Sequence, residues 1–352
     1  MRFNKASAIV RKKTFLSALL ILILSLFTLF VFQNLILFFI LILISLMLLT
    51  VNVVVISRRV YDLLGTRLML LITLAVVAIF IVLIAVLLNG SIYLTEHASV
   101  IDVLLSSTWK PFSNHFGLFA VIIDTLIVTA ISMLIAVPVS LLTAIYITEY
   151  APSRFRNAIR PFIDVLAGVP SVVFGLCALL VFVPLVRDTI SPFFGIHTSS
   201  GFGLFTASLI LSIMVFPIII SLCVESFSSI PIALKEASLS LGATKWETVK
   251  KVIFRASGPG VLSAIFLGFG RAFGETVAVM MVIGNSELIP NTIFGNGQTL
   301  ASLIANNYTE VASIPLLASA LIFVALILFI VVLIFNICAF IVLRRASRRW
   351  KY

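Results

Sequence analysis

Apolar residues run along this chain in unbroken stretches, without the alternation of a half-buried strand or the single stripe of a surface helix. A helix that is apolar on every side must be covered on every side, and about 20 such residues cross the ~30 Å hydrocarbon layer of a bilayer. Eight stretches reach that length: 15–32, 35–56, 68–89, 118–146, 161–186, 204–224, 261–283 and 315–343. Only Gln33 and Asn34 separate the first two, which predicts a tight helical hairpin. The pattern as a whole predicts an all-α integral membrane protein of about eight spans.

Prolines interrupt three of these regions, at Pro138, Pro170, Pro184 and Pro217. Each removes a backbone donor and frees a carbonyl that needs another partner. Two readings stay open, a packing kink and a broken helix that lines a cavity. The second fits best at Gly168-Val169-Pro170-Ser171, which makes Pro170 and Ser171 candidate cavity residues.

Composition agrees with the pattern: of 352 residues, 62% are hydrophobic and 11% charged. The 24 basic and 13 acidic residues give a net charge of +11. In a soluble protein that excess points to nucleic acid. Here the basic residues sit at the ends of the apolar stretches, so no nucleic-acid partner is expected. With the N-terminus in the cytoplasm, the inside segments 2–13, 58–67, 154–160, 235–255 and 344–351 hold 21 of the 24 basic residues. Lys110 and Arg187 fall outside and Arg271 within a span. This bias places both termini in the cytoplasm. Arg11-Lys12-Lys13 before an apolar run resembles a signal peptide; no small-residue cleavage site follows, so an uncleaved anchor is expected.

Cys177, Cys223 and Cys338 lie apart inside apolar stretches and are expected to be small buried side chains. His97, His115 and His197 fall in expected external loops without ligand spacing, and no metal site is expected. Asp124, Asp164 and Glu225 lie near span ends, as interfacial, solvated or locally paired groups. Trp109-Lys110-Pro111-Phe112 precedes the fourth span, either to meet a partner or to sit at the headgroup level. The spans contain no nucleophile–base or metal-ligand constellation, so an enzyme is not expected.

The longest polar interval on the inside is 225–260. Pro231 can start a helix that runs from Ile232 to Leu241 and stops at Gly242. Thr244-Lys-Trp-Glu247 matches a capping box and predicts a second short helix to about Phe254. A compact helix–glycine–helix element between two spans suits the docking of a soluble partner. The chain lacks the G-x-x-x-x-G-K-[ST] phosphate loop, so nucleotide binding is not expected on this chain.

One span contains Arg271 and Glu275. Four residues apart on a helix, they would share a face one turn apart. A charge near the bilayer centre costs roughly 2.5–3.5 kcal/mol on insertion scales. A solute path or a gate gives such a pair a use; a structural tie between helices is the alternative. Gly270 and Gly274 beside them form a small-xxx-small pair that suits close helix approach or leaves room for Arg271.

The loop reads Glu236-Ala-Ser-x-x-x-Gly242 and then Val252 and Phe254, and it resembles the EAA loop of ABC-importer permeases. Arg255 stands where that pattern usually has proline. Three further stretches narrow the resemblance: Glu149-Tyr-Ala-Pro152, Ala167-Gly-Val-Pro-Ser-Val-Val-Phe-Gly175, and Gly270-Arg-Ala-Phe-Gly-Glu-Thr-Val-Ala-Val279 ending at Gly284-Asn285. Together they resemble the permease subunits of bacterial phosphate-specific ABC importers, the PstC-like branch more than the PstA-like one. The resemblance covers about residues 68–343.

The resemblance implies a six-span, MetI-like permease core over 68–343, an extra N-terminal anchor or hairpin over 1–67 and a basic cytoplasmic tail over 344–352. It implies a multi-pass subunit of a bacterial inner-membrane phosphate importer. Its partners would be a PstA-like permease, a dimer of ATP-binding subunits, an extracytoplasmic phosphate-binding protein and membrane lipid. ATP and Mg would belong to the ATPase partner, with no cofactor on this chain. Arg271, Glu275 and Thr276 would lie on the translocation path; Glu236, Ala237 and Gly242 would couple to the ATPase. A permease for sulfate, molybdate or tungstate is the alternative, and an ATP-independent channel or transporter a more distant one.

Overall fold

The computed structural model describes residues 58–196, 198–311 and 314–349. The expected spans 15–32 and 35–56, and His197, lie outside them. The chain divides into two compact units, residues 1–85 and 86–352. The described part of the first unit is helical and belongs to α1 (Arg58–His97). From Leu68 to Val82 this helix is apolar and largely exposed, as a surface meeting lipid can be.

In the second unit α1 is followed by α2 (Val100–Leu105) and a two-stranded hairpin, β1 (Trp109–Lys110) and β2 (His115–Phe116). Then come α3 (Phe119–Tyr150), α4 (Ser153–Ala167), α5 (Ser171–Phe193) and α6 (Leu204–Ser228). The loop helices are α7 (Ile232–Ser240) and α8 (Lys245–Ala256). The chain ends with α9 (Gly258–Gly274), α10 (Val277–Val282), α11 (Leu300–Val311) and α12 (Pro315–Arg349). Among the described residues five helices are long and apolar enough to cross a membrane: Gly65–His97 of α1, then α3, α5, α6 and α12 up to Arg345. The pair α8–α9, bent by 72°, reaches the same length and apolarity only when its two helices are taken together.

Two expected spans are corrected. The apolar stretch 161–186 is not one helix, because Gly168-Val169-Pro170 ends α4 and starts α5. Proline disfavours helical backbone at Val169 and fits the start of the next helix, where its missing N–H costs nothing. The stretch 261–283 is also divided, since α9 stops at Gly274 and α10 begins at Val277. The other prolines are absorbed differently. Pro138 and Pro217 sit inside α3 and α6 without ending them. Pro184 is flanked by π turns at Ala178–Phe182 and Val186–Ile190, a widened spiral that relieves the clash of its ring.

The interior has two clusters. One joins α3, α6, α9 and α10 around Leu211, Ile219, Phe227 and Val282. The other joins the end of α1, the hairpin, α11 and α12 around Leu94, Trp109, Leu303 and Val324. Lipid tails are as apolar as leucine, so close packing and polar ties must hold these helices together. Gly268 supplies the first: a Cβ there would stand 2.9–3.0 Å from side-chain carbons of Ile219 and Val215. Ser319 supplies the second, accepting from the Leu94 N–H at 2.9 Å and donating to the Gly90 carbonyl at 2.7 Å.

Several side chains differ from expectation. Of the cysteines only Cys223 is buried; Cys177 and Cys338 are exposed, and all three are free. Within Trp109-Lys110-Pro111-Phe112, Trp109 is 2% exposed and packs edge-to-face on Phe116 at 5.9 Å, while Lys110 and Phe112 are exposed. Asp164 and Glu225 are exposed as expected, but Asp124 is buried.

Candidate translocation and docking sites

The break after α9 is built by its own sequence. Gly274 weakens the last turn, and Glu275 takes an extended conformation (φ −72°, ψ 124°). The backbone groups freed there are met by neighbouring side chains. Thr276 Oγ1 donates to the Gly274 carbonyl at 3.2 Å, and Glu275 Oε1 accepts from the Ala278 N–H at 3.3 Å. Irregular backbone at membrane depth needs such substitutes.

The break overturns the expected pairing of Arg271 with Glu275. The two residues lie on either side of the helix end, and no ion pair joins them among the described residues. Arg271 is half-buried, with its Nε enclosed and without an acceptor. Its neighbours Phe269 and Phe273 turn towards Phe335 of α12, at 4.5 and 5.3 Å between ring centroids. The expected close approach at Gly270 and Gly274 is not made either: a Cβ at either position would meet nothing within 4 Å. Gly268, and Gly175 against Met281 and Ala278 of α10, make the close approaches instead. An open strip thus runs beside an arginine that is always charged and short of partners.

The loop is as complete as the break is incomplete. α7 ends in a Schellman motif: Gly242 N–H bonds Leu239 O at 2.9 Å and Ala243 N–H bonds Ser238 O at 3.3 Å. That motif needs the left-handed backbone Gly242 adopts (φ +84°). The Thr244–Glu247 capping box is formed in both directions. The Thr244 backbone N–H, with Lys251 and the Thr244 hydroxyl, holds the exposed Glu247 carboxyl down at about 2. Glu236, Ala237 and Leu239 are exposed on α7, with Leu241 just after it and Trp246 on α8. The result is a rigid element with an apolar, uncovered surface and one free carboxylate, Glu236, among the described residues.

At the other end of α3, buried Asp124 accepts from the Gln298 N–H at 3.0 Å, and Thr125 Oγ1 from the Leu300 N–H at 2.9 Å. Gly297 N–H bonds Ile283 O at 3.1 Å, and Leu204 N–H bonds Gly295 O at 3.1 Å. The segment after α10 is thereby knotted onto α3 and α6. Pro170 and Ser171 flank the break before α5, but the small cavity enclosed by Arg160, Asp164 and residues of α6 does not include them. Sequence reasoning missed this knot and the ion pair between Lys235 and Glu149. The Glu149 charge at a span end was the available signal for the latter.

The family described as binding-protein-dependent transport system inner membrane component matches residues 136–352. A phosphate transport system permease protein PstC from Xylella fastidiosa is 38% identical over 257 residues, 69% of this chain and 79% of that protein. The PstC of Haemophilus influenzae is 39% identical over 241 residues, 65% and 76% of the two chains. A probable PstC of Methanocaldococcus jannaschii is 36% identical over 259 residues, covering 70% and 82%. Among solved structures, a chain of the inward-facing MetNI methionine ABC transporter gives a TM-score of 0.52 at 18% identity, covering 68% of this chain and 99% of that one. A chain of a bacterial alginate ABC transporter gives 0.54 at 17% identity, covering 80% and 96%. These two likenesses concern the fold.

Proposed function

This chain belongs to the binding-protein-dependent transport system inner membrane component family, and on that premise we propose that it is one permease subunit of an ATP-driven importer of inorganic phosphate. The family makes it a multi-pass inner-membrane subunit, not an enzyme, working with an ATPase, a binding protein and a second permease. Under this reading the second permease is PstA-like and the binding protein carries phosphate. ATP and Mg sit on the ATPase partner. The end that carries α7 and α8 faces the cytoplasm, as the basic residues of the loop favour, and both chain termini lie on that side.

The observation that carries the substrate is Arg271. A guanidinium held half-buried beside a helix break, with a donor unpaired, suits a tetrahedral oxyanion that can take two parallel hydrogen bonds. The relatives named as phosphate permeases agree in substrate. A site that conducts must also release, and a single arginine without a fixed cage of donors meets that need. Glu275 and Thr276 act by shaping the break: their side chains hold the α9 end and the α10 start. Exposed Leu239, Leu241 and Trp246, with Glu236, offer the ATPase its docking surface.

The test is radiolabelled phosphate uptake in cells expressing this chain with its partner subunits, in competition with sulfate, molybdate and tungstate. Saturable, ATP-dependent uptake displaced by phosphate alone is expected. Displacement by another oxyanion at lower concentration would overturn the substrate and leave the permease reading standing.

A further inference from the structure

We infer that the Glu149–Lys235 ion pair is the strut through which the docking loop moves α3, so that it sets how much transport each ATP turnover delivers. This rests on the proposed role as half of an ATP-driven importer. The pair joins residues 86 positions apart, with Lys235 Nζ 2.5 Å from Glu149 Oε1. Both side chains are largely shielded, 22% and 11% exposed. In such surroundings a charge pair is held more firmly than at a wet surface, and a lone remaining charge is disfavoured.

α7 gives the pair its importance. None of its nine residues is buried, so no apolar core fixes it to the membrane body. Its other side-chain tie, Ser238 to Thr248 at 2.9 Å, leads only to α8. α8 itself grips the neighbouring residue, with Lys245 Nζ 4.7 Å from the centre of the Tyr150 ring. Both loop helices therefore hold adjacent residues of one π turn, Tyr146–Tyr150, at the end of α3. Arg156 closes that turn from behind, donating to the Ile147 and Thr148 carbonyls at 2.9 and 2.6 Å. α8 is also seated in the main cluster through Val249 and Ile253, whereas a push on α7 reaches α3 through side chains at its last turn. α3 in turn packs along α6 in the main cluster.

The test uses the assembled complex in proteoliposomes, with ATP hydrolysis and phosphate transport measured on the same sample. For Glu149→Gln, ATP hydrolysis is expected to stay near wild type while phosphate moved per ATP falls roughly tenfold or more. The exchange Glu149→Lys with Lys235→Glu is expected to restore most of the ratio. An unchanged ratio in Glu149→Gln, or an exchange no better than the single variants, would overturn the inference. Loss of assembly that the exchange merely restores would make the pair an assembly contact and would overturn it too. A second readout needs no substrate: spin labels at Ser240→Cys and Leu142→Cys, with Cys177→Ala, Cys223→Ala and Cys338→Ala. Their separation should stay constant between ATP-free and vanadate-trapped states, and should become state-dependent when Glu149→Gln is added. A constant separation in that variant would also overturn the inference. A wild-type complex that hydrolyses ATP but moves no phosphate would remove the substrate reading and leave the label distances to decide on the strut.

Discussion

The docking loop and the break beside Arg271 are joined by a single helix, yet they are built on opposite terms. In the loop, both helix ends are capped, one glycine takes the left-handed turn it alone takes easily, and a charge pair ties the element to α3. At the break, an arginine nitrogen has no acceptor, two glycines face open space, and one carboxylate caps a six-residue helix through a 3.3 Å bond. Saturated hydrogen bonding makes an element rigid enough to transmit force; unsaturated bonding leaves a site free to take a passing solute and to change shape. The two regions show one chain placing its stiffness and its readiness to react in separate stretches.

The largest expected effect comes from removing the charge at the unsaturated site. Arg271→Gln should abolish uptake, a loss of a hundredfold or more for a charge-assisted bidentate contact worth roughly 3 kcal/mol. Co-purification of the subunits should be unchanged; an equal loss of assembly would make Arg271 a structural tie and dissolve the comparison. Glu275→Gln should be far milder, because the amide oxygen can still accept from Ala278. Next comes the open strip. A Cβ at Gly274 meets nothing within 4 Å of this chain, so for Gly274→Leu membrane level should hold while uptake falls roughly tenfold through a clash with solute or partner. Unaltered uptake would show that the strip faces only lipid.

Effects in the saturated region should be smaller and should appear in stability before transport. Gly242→Ala forces alanine into φ +84° and should cost about 1 kcal/mol, seen as a lower Tm of the complex. The smallest effect is that of acid on the capping box. The Glu247 carboxyl is lowered from 4.5 to about 2 in the fold. Its contribution is therefore complete above 4.5 and is lost as pH falls through that range towards 2. Carbon NMR of labelled glutamate in the complex would follow it; a midpoint near 4.5 would mean the cap is not formed.

Local signals in the sequence carried most of the fold. Four of the expected spans, 68–89, 118–146, 204–224 and 315–343, have single-helix counterparts among the described residues, and 161–186 has one shifted to Ser171–Phe193, because length and apolarity decide them. The caps of the loop were legible to the residue, since Thr244, Glu247 and Gly242 act on their immediate neighbours. The break at Glu275 was hidden, because an apolar run through Val277–Val282 reads as a continuous helix whichever way its backbone turns at 274–276. With it went the reading of Arg271 and Glu275 as one face. The burial of Asp124 was equally hidden, because the segment that bonds it lies far along the chain. The Asp124 partner is 174 residues away. Distant pairs of this kind leave no mark on the pattern of a single stretch.

That separation bears on how the protein is made. Asp124 and Thr125 wait for Gln298 and Leu300, and Gly90 and Leu94 wait for Ser319. At ~5–20 residues per second, a ribosome needs roughly 9–46 s to supply the missing stretches. Throughout that interval a carboxylate destined for a dry interior has no partner within the nascent chain. A chain truncated before that point never supplies the Gln298 and Leu300 backbone groups that Asp124 and Thr125 bond.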